Sequence, residues 1–197
     1  ELDRCFNLQV AYVAGNESRI HDEVGWSEVV ISDNYDTTVF NMLKHGLRSS
    51  GIKFLVGNTM EMVVEVAGQN VLLVHGNSIR GSDLQKVIQS IKGKYADNGI
   101  PLSFIIFGDI HSAYLSDNFA RSSSLCGSNP YATGDLQLSG RASQNVYVFY
   151  QNGNRDGVKI DLQYTSPDVS YEIHKELAAY NARPATKTHE IILKVVI

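Results

Sequence analysis

Cysteine is scarce: Cys5 and Cys126 are the only two in 197 residues, and neither stands in a CxxC spacing. That excludes a disulfide framework and a thiolate zinc cluster, and leaves the expectation of two free thiols in a reducing compartment. Proline is also scarce, with 4 residues against 16 glycines, so no stiff proline-rich linker is expected. No apolar run approaches the roughly 18 residues that span a bilayer, and no membrane association is expected. Basic charge is not in excess, since 17 Lys and Arg face 21 Asp and Glu for a net charge of −4. This argues against sequence-independent coating of nucleic acid. It does not argue against a nuclease, because bound divalent cations can supply the positive charge at a scissile phosphate. The opening residues ELDRCFNLQV carry neither a basic n-region nor an apolar h-region, so a cytoplasmic location is expected. The first residue is Glu1, not Met, which leads to the expectation of a fragment or processed product.

What is present is a globular composition, 43% hydrophobic and 19% charged, and a mixed order of elements. Phe6–Ala14 is β-rich and runs into Gly15-Asn16. Residues 37–50 carry Phe40, Leu43 and Leu47 on one helical face, with Gly51 as the stop. Ile52–Val56 reads as a short strand. Glu61–Val66 and Asn70–Val74 flank Ala67-Gly68-Gln69 as a hairpin. Ser82 is placed to cap a second helix whose apolar face is Leu84, Val87, Ile88, Ile91 and Tyr95. Leu102–Phe107 is a nearly unbroken apolar run, the pattern of a strand buried on both faces. Asn145–Tyr150 and Val158–Tyr164 are strands around a turn-rich segment. Asp168–Ala182 reads as a helix and His189–Ile197 as a strand. Together these predict one α/β domain over 1–197 with two sheets, the segment 165–197 forming a helix–strand tail.

Three loops share one design, in which an apolar strand ends at a glycine beside a residue able to bind metal. They are Gly15-Asn16-Glu17, His75-Gly76-Asn77 and Gly108-Asp109-Ile110-His111. Ligands at strand C-termini can meet in one crevice at the sheet edge, and glycine lets the backbone approach a bound ion. A donor set of amide oxygen, imidazole and carboxylate suits Mn²⁺, with Fe or Zn²⁺ as alternatives, better than Ca²⁺.

The order Gly-Asn, His-Gly, Gly-x-x-His is similar to the last three motifs of the calcineurin-like (Mre11-like) metallophosphoesterases. That family has Asp-x-His, Gly-Asp-x-x-Asp, Gly-Asn-His-Asp/Glu, a lone His and Gly-His-x-His. The longer stretches VAGNESR, VLLVHGNSIRG, FGDIHSAYLSDNFARSSSLCGSNPYA and LSGRASQNVYVF resemble its phage-encoded branch, over roughly residues 6–150. The resemblance implies a two-sheet α/β sandwich with two divalent ions per complete site. It implies hydrolysis of phosphoesters, in a phage DNA exonuclease-like protein of the host cytoplasm. It assigns Asn16, His75 and Asp109 to the second metal and His111 to the first. Glu17 stands where the family has its catalytic His, and Asp109 where it has the first His of Gly-His-x-His. Neither Asp-x-His nor Gly-Asp-x-x-Asp precedes Asn16, and 15 residues are too few to hold both blocks with their strands. The expectation is therefore that an upstream segment or a partner chain supplies the missing ligands. The alternative is a catalytically inactive binding or assembly module of the same fold. Asp109-Ile110-His111 also fits Asp-x-His itself, but Gly134-Asp135 is followed by Leu136-Gln137-Leu138, without the second Asp.

Arg19, Arg80, Arg121 and Arg141 lie on or beside these loops as candidates for phosphate contact or for surface ion pairs, with Arg19 the favoured phosphate contact. Ser122-Ser123-Ser124 and Ser139-Gly140-Arg141 have no base at useful spacing, which argues against a serine nucleophile. His21, His45, His174 and His189 read as ordinary surface or helix histidines. Tyr35 reads as packing near a helix start, with base stacking as the alternative. The cluster from Asp33 to Asp36 reads as capping.

Overall fold

The computed structural model describes residues 3, 5–20, 34–57, 60–80, 83–127 and 140–163. The expected helix Asp168–Ala182, the strand His189–Ile197, and His21, Asp33, Ser82, Gly134, Asp135, Ser139, His174 and His189 lie outside them. The fold is mixed α/β, as the sequence predicts.

Its centre is a five-stranded sheet of order β3-β4-β5-β7-β6, built from Glu61–Val66 (β3), Gln69–Val74 (β4), Phe104–Phe107 (β5), Tyr114–Leu115 (β6) and Phe119–Arg121 (β7). β3 and β4 are antiparallel, β4, β5 and β7 run parallel, and β6 folds back antiparallel on β7. The runs VLLV and FIIF are unbroken because both faces of their strands are covered. Leu72, Ile105, Phe107 and Phe119 point to one side, where they pack with Ile79 and Ile88. Val71, Phe104 and Ala120 point to the other, against Tyr147 and Phe149. Each fully buried Leu, Ile or Phe here stabilises the fold by about 1.5–3 kcal/mol.

The first side is covered by helix α2 (Leu84–Asp97), the crossover from β4 to β5. Its inner face is Leu84, Val87, Ile88, Ile91 and Tyr95, the set the 3.6-residue period picks out. The cap is Asp83, one residue beyond the expected Ser82, and its carboxylate accepts from Lys86 N. The second side is covered by a hairpin of β8 (Ser143–Phe149) and β9 (Arg155–Asp161), giving the sheet-on-sheet layer. Tyr147 and Phe149 meet Phe104 edge-on, with centroids 5.7 and 5.8 Å away.

A separate parallel pair, β1 (Gln9–Ala11) and β2 (Lys53–Leu55), is joined through helix α1 (Tyr35–Gly46). Phe40 of α1 is buried between Tyr12, stacked at 4.2 Å, and Phe54, edge-on at 5.5 Å. The expected helix 37–50 is displaced toward the N-terminus. Asn34 caps it by accepting from Asp36 N, and it ends at Gly46, ahead of Gly51. Of its expected inner face only Phe40 is buried; Leu43 and Leu47 remain exposed. No helix among the described residues is long and apolar enough to cross a membrane. Cys5 and Cys126 are free and exposed.

Tyr95 joins α2 to β3. Its phenol is pushed up to about 12, first by burial, then by its hydrogen bond to Glu61 and the charge of that carboxylate. The neutral phenol is the form the fold favours. The stabilisation is therefore fully present below the unfolded value of about 10 and is lost as pH rises through 12. In an ultraviolet titration Tyr95 should ionise late, as should Tyr147 and Tyr150, whose phenols are also raised, the first chiefly by burial and the second chiefly by its hydrogen bond to Asp156. Glu61→Gln should bring the Tyr95 ionisation only part of the way down, because burial remains; an unmoved midpoint would remove Glu61 from the account.

Candidate metal and phosphate site

The site grows from the parallel pairing of β4 and β5. Leu73 stands opposite Ile106, so the next residues out of the sheet, His75 and Gly108, are neighbours. Gly108 N donates to His75 O at 2.7 Å, extending the ladder one step beyond the strands. At Gly76 the backbone has φ +117°, and a Cβ there would lie 3.0 Å from Gly108 O, so only glycine lets the two loops approach this closely. The turn is closed by Ile79 N donating to Gly76 O at 2.8 Å, with the Ile79 side chain fully buried.

The third loop follows β1 and is held by the N-terminus of α1. Gly15 N and Ser18 Oγ donate to the two oxygens of Asp36, each at 2.8 Å. Asn34 is completely buried, donates to Gly15 O at 2.8 Å, and caps α1 with its other amide atom. Asn34 and Asp36 are thus positioning residues for the Gly15-Asn16 loop. Asn16 donates Nδ2 to Glu17 Oε1 at 3.0 Å, which turns its Oδ1 toward the β4–β5 side.

Three donor atoms come together there. His75 Nε2 lies 2.6 Å from Asn16 Oδ1 and 3.3 Å from Asp109 Oδ1. Asp109 is nearly buried, with a side chain 6% exposed, and its second oxygen takes Arg80 through Nε at 3.2 Å and Nη2 at 2.7 Å. Asp109 and His111 both have left-handed backbone, at φ +71° and +58°. Asp and His tolerate that region better than most residues, but each still costs of order 1 kcal/mol, and such strain gathers where a side chain must be aimed.

The remaining candidates are placed as follows. The His111 ring is joined to Asn16, His75 and Asp109 by no hydrogen bond or ion pair among the described residues; its carbonyl accepts from Ser123 Oγ at 3.0 Å and Ser124 N at 3.5 Å. A Cβ at Gly140 would come within 2.7 Å of that carbonyl, so Gly140 is what lets the segment leading into β8 pass beside it. Glu17 is exposed, and its partner is Asn16. Arg19 pairs its backbone with Asn34. Arg121 donates to Ser112 O and Oγ, and Arg141 to Asp161, so these two serve loop structure and a surface ion pair. His45 faces Arg48 on the surface of α1. Tyr35 is exposed at the start of α1, its N–H donating to Ser18 O.

The fit of this set to a metal ion can be judged from its spacing. Ligands on one ion at about 2.0–2.2 Å lie near 3 Å from each other when their bonds are at right angles. The 3.3 Å separation of Nε2 from Asp109 has that spacing, while the 2.6 Å separation from Asn16 Oδ1 is that of a hydrogen bond, which a bound ion would replace. Among the described residues, no group of three His, Cys, Asp or Glu side chains could hold a metal, so the third donor here is the Asn16 amide oxygen. One imidazole, one carboxylate and one amide oxygen thus meet at the strand ends, the donor types that a borderline divalent ion accepts, and no comparable second set stands among the described residues.

No family model and no curated protein matches the chain. Solved structures are similar at low identity. Wild-type Vps29 of Entamoeba histolytica, complexed with zinc, is 13% identical with TM-score 0.42, over 81% of this chain and 85% of that one. Vps29 of Chaetomium thermophilum is 13% identical with TM-score 0.34, over 81% and 96%. A conserved uncharacterised protein of Streptococcus pneumoniae, a predicted phosphoesterase, is 13% identical with TM-score 0.29, over 56% and 71%.

Proposed function

We propose that the chain carries the C-terminal part of a calcineurin-like metallophosphoesterase domain acting on phosphoesters, DNA among them. The observation that carries this reading is the meeting of Asn16, His75 and Asp109 at the ends of three strands, with Nε2 of His75 between two oxygen donors. These three would hold one divalent ion, Mn²⁺ in the first instance. When bound, such an ion polarises a phosphoryl oxygen and lowers the pKa of bound water. The protein supplies the rest. Glu17 accepts from the Asn16 amide, which would leave the Asn16 oxygen to face an ion, and the β4–β5 ladder fixes the backbone of His75. Glu17, which matches the position of the family's catalytic His, would protonate a leaving oxygen, and Arg19 on the same loop would contact phosphate. His111 would serve a second ion together with ligands from an upstream segment or partner chain.

The test is calorimetric titration of Mn²⁺ into the wild type, Asp109→His and Asp109→Ala. Histidine tolerates the left-handed backbone and offers an imidazole, so Asp109→His should bind at least as tightly. Asp109→Ala removes a charged donor and should bind roughly tenfold or more weakly, since ligand number and charge set affinity. Equal binding by all three proteins would remove Asp109 from the site.

A further inference from the structure

Arg80 is not explained by the ligand set. Its guanidinium spends Nε–H and one Nη2–H on a single oxygen of Asp109, while the other oxygen of that carboxylate faces His75. Asp109 is thereby divided between the metal-ligand side and the cation. The carboxylate is 6% exposed, whereas the Arg80 side chain is 64% exposed, so the head group reaches out of the site it neutralises. Nη1 and the remaining Nη2–H make no further hydrogen bond among the described residues. The backbone beneath is not free to move: the Gly76–Ile79 turn is hydrogen-bonded and anchored by a fully buried side chain one residue before Arg80.

Resting on the metal-site reading above, we infer that Arg80 is the oxyanion-binding residue of this site, with its unspent N–H edge taking a phosphoryl oxygen beside the ion. A planar fork of N–H donors matches two oxygens of a tetrahedral phosphate, and a guanidinium keeps its charge at any working pH. Its bond to Asp109 orients that edge. It also blocks the outer carboxylate oxygen from a second ion, since a cation there would meet the guanidinium at hydrogen-bond distance.

Two roles for Arg80 make opposite predictions for metal. If it only holds Asp109 in place, removing it disorders a ligand and weakens Mn²⁺. If it is a fixed cation beside the ion, removing it relieves repulsion between a double and a single charge. At about 5 Å in water-like surroundings that repulsion is worth on the order of tenfold in affinity. The experiment measures Mn²⁺ and inorganic phosphate binding by calorimetry on the full chain and on Arg80→Met and Arg80→Lys, with circular dichroism to establish folding. Arg80→Met should bind Mn²⁺ on the order of tenfold more tightly and phosphate at least tenfold more weakly. Arg80→Lys keeps the charge and loses the fork, so its Mn²⁺ affinity should stay near wild type while phosphate falls to an intermediate value. Weaker Mn²⁺ in Arg80→Met, or unchanged phosphate in both variants, would overturn the inference and leave the metal site standing. A wild type that binds no Mn²⁺ would overturn both. Should Arg80→Met fail to fold, phosphate binding by Arg80→Lys equal to wild type would by itself overturn the inference.

Discussion

His75→Ala should abolish the Mn²⁺ response of this chain while leaving its fold intact. The backbone role of His75 survives the substitution, because its carbonyl still accepts from Gly108 N and β4 still lies between β3 and β5. Its ring, however, is the one donor adjacent to both others, at 2.6 Å from Asn16 and 3.3 Å from Asp109. Without it an amide and a carboxylate already paired with Arg80 remain, and the loss should be on the order of 100-fold or more, the upper end of what even outer-sphere partners of a metal cost. The readout is thermal. An ion binding only the native state at a hundred times its Kd adds about 2.7 kcal/mol. For a chain of this size that raises Tm by roughly 5–10 °C. The wild type should show such a rise and His75→Ala none. A rise of equal size in both would place the ion elsewhere.

The centre of the fold was readable because its two periods are clean. VLLV and FIIF have no polar interruption, and both proved to be strands covered on two faces. The inner face of α2 follows the 3.6-residue repeat without exception. The hairpin at Ala67-Gly68 was readable from its turn, and both residues take positive φ. β6 and β7 were not readable. At two and three residues they are too short for any period, and they lie inside a loop whose glycine, serine and asparagine content suggests irregular structure. They form through pairing: β7 runs parallel to β5, and Phe119 is stacked between Phe107 and Tyr114. The ends of α1 are less legible, because Gly46 and Gly51 are equally plausible stops in sequence; the helix ends at the earlier one, in an exposed stretch where Ser50 Oγ donates to Leu47 O.

In the site, the strand-end logic located Asn16, His75 and Asp109, which the structure brings together. It did not reveal the support. Asn34-Tyr35-Asp36 reads as a capping cluster, and capping is half of its role; the other half, holding Gly15 and Ser18 across 18 to 21 residues, has no local signature. Arg80 is likewise indistinguishable in sequence from Arg121 and Arg141. What separates them is the partner, a nearly buried carboxylate in one case and loop atoms or an exposed aspartate in the others. Burial is a tertiary property, and a lone charged residue on a turn does not encode it.

Residues 1–197 alone are expected to hydrolyse no bis-p-nitrophenyl phosphate, and to gain Mn²⁺-dependent turnover when a polypeptide carrying Asp-x-His and Gly-Asp-x-x-Asp is added. A two-metal displacement clamps both the attacking and the leaving oxygen. Here Asn16, His75 and Asp109 meet, while the His111 ring makes no hydrogen bond or ion pair to them and no group of three His, Cys, Asp or Glu side chains could hold a metal among the described residues. With one ion the charge developing on the far oxygen goes unanswered; losing a single preorganised stabiliser of that kind costs about 10²–10³ in rate. The nucleophilic water also loses a shared ion and remains harder to ionise. The sheet offers a place for the added segment: β1 and β2 pair only with each other among the described residues, and a two-stranded sheet is marginal until a further strand joins it. Turnover in the mixture should vanish with His75→Ala on this chain, which ties it to the site described and not to the added polypeptide. Robust Mn²⁺-dependent turnover by residues 1–197 without any addition, and lost in His75→Ala, would mean that this chain completes its own metal centre and that the proposed division of ligands is wrong.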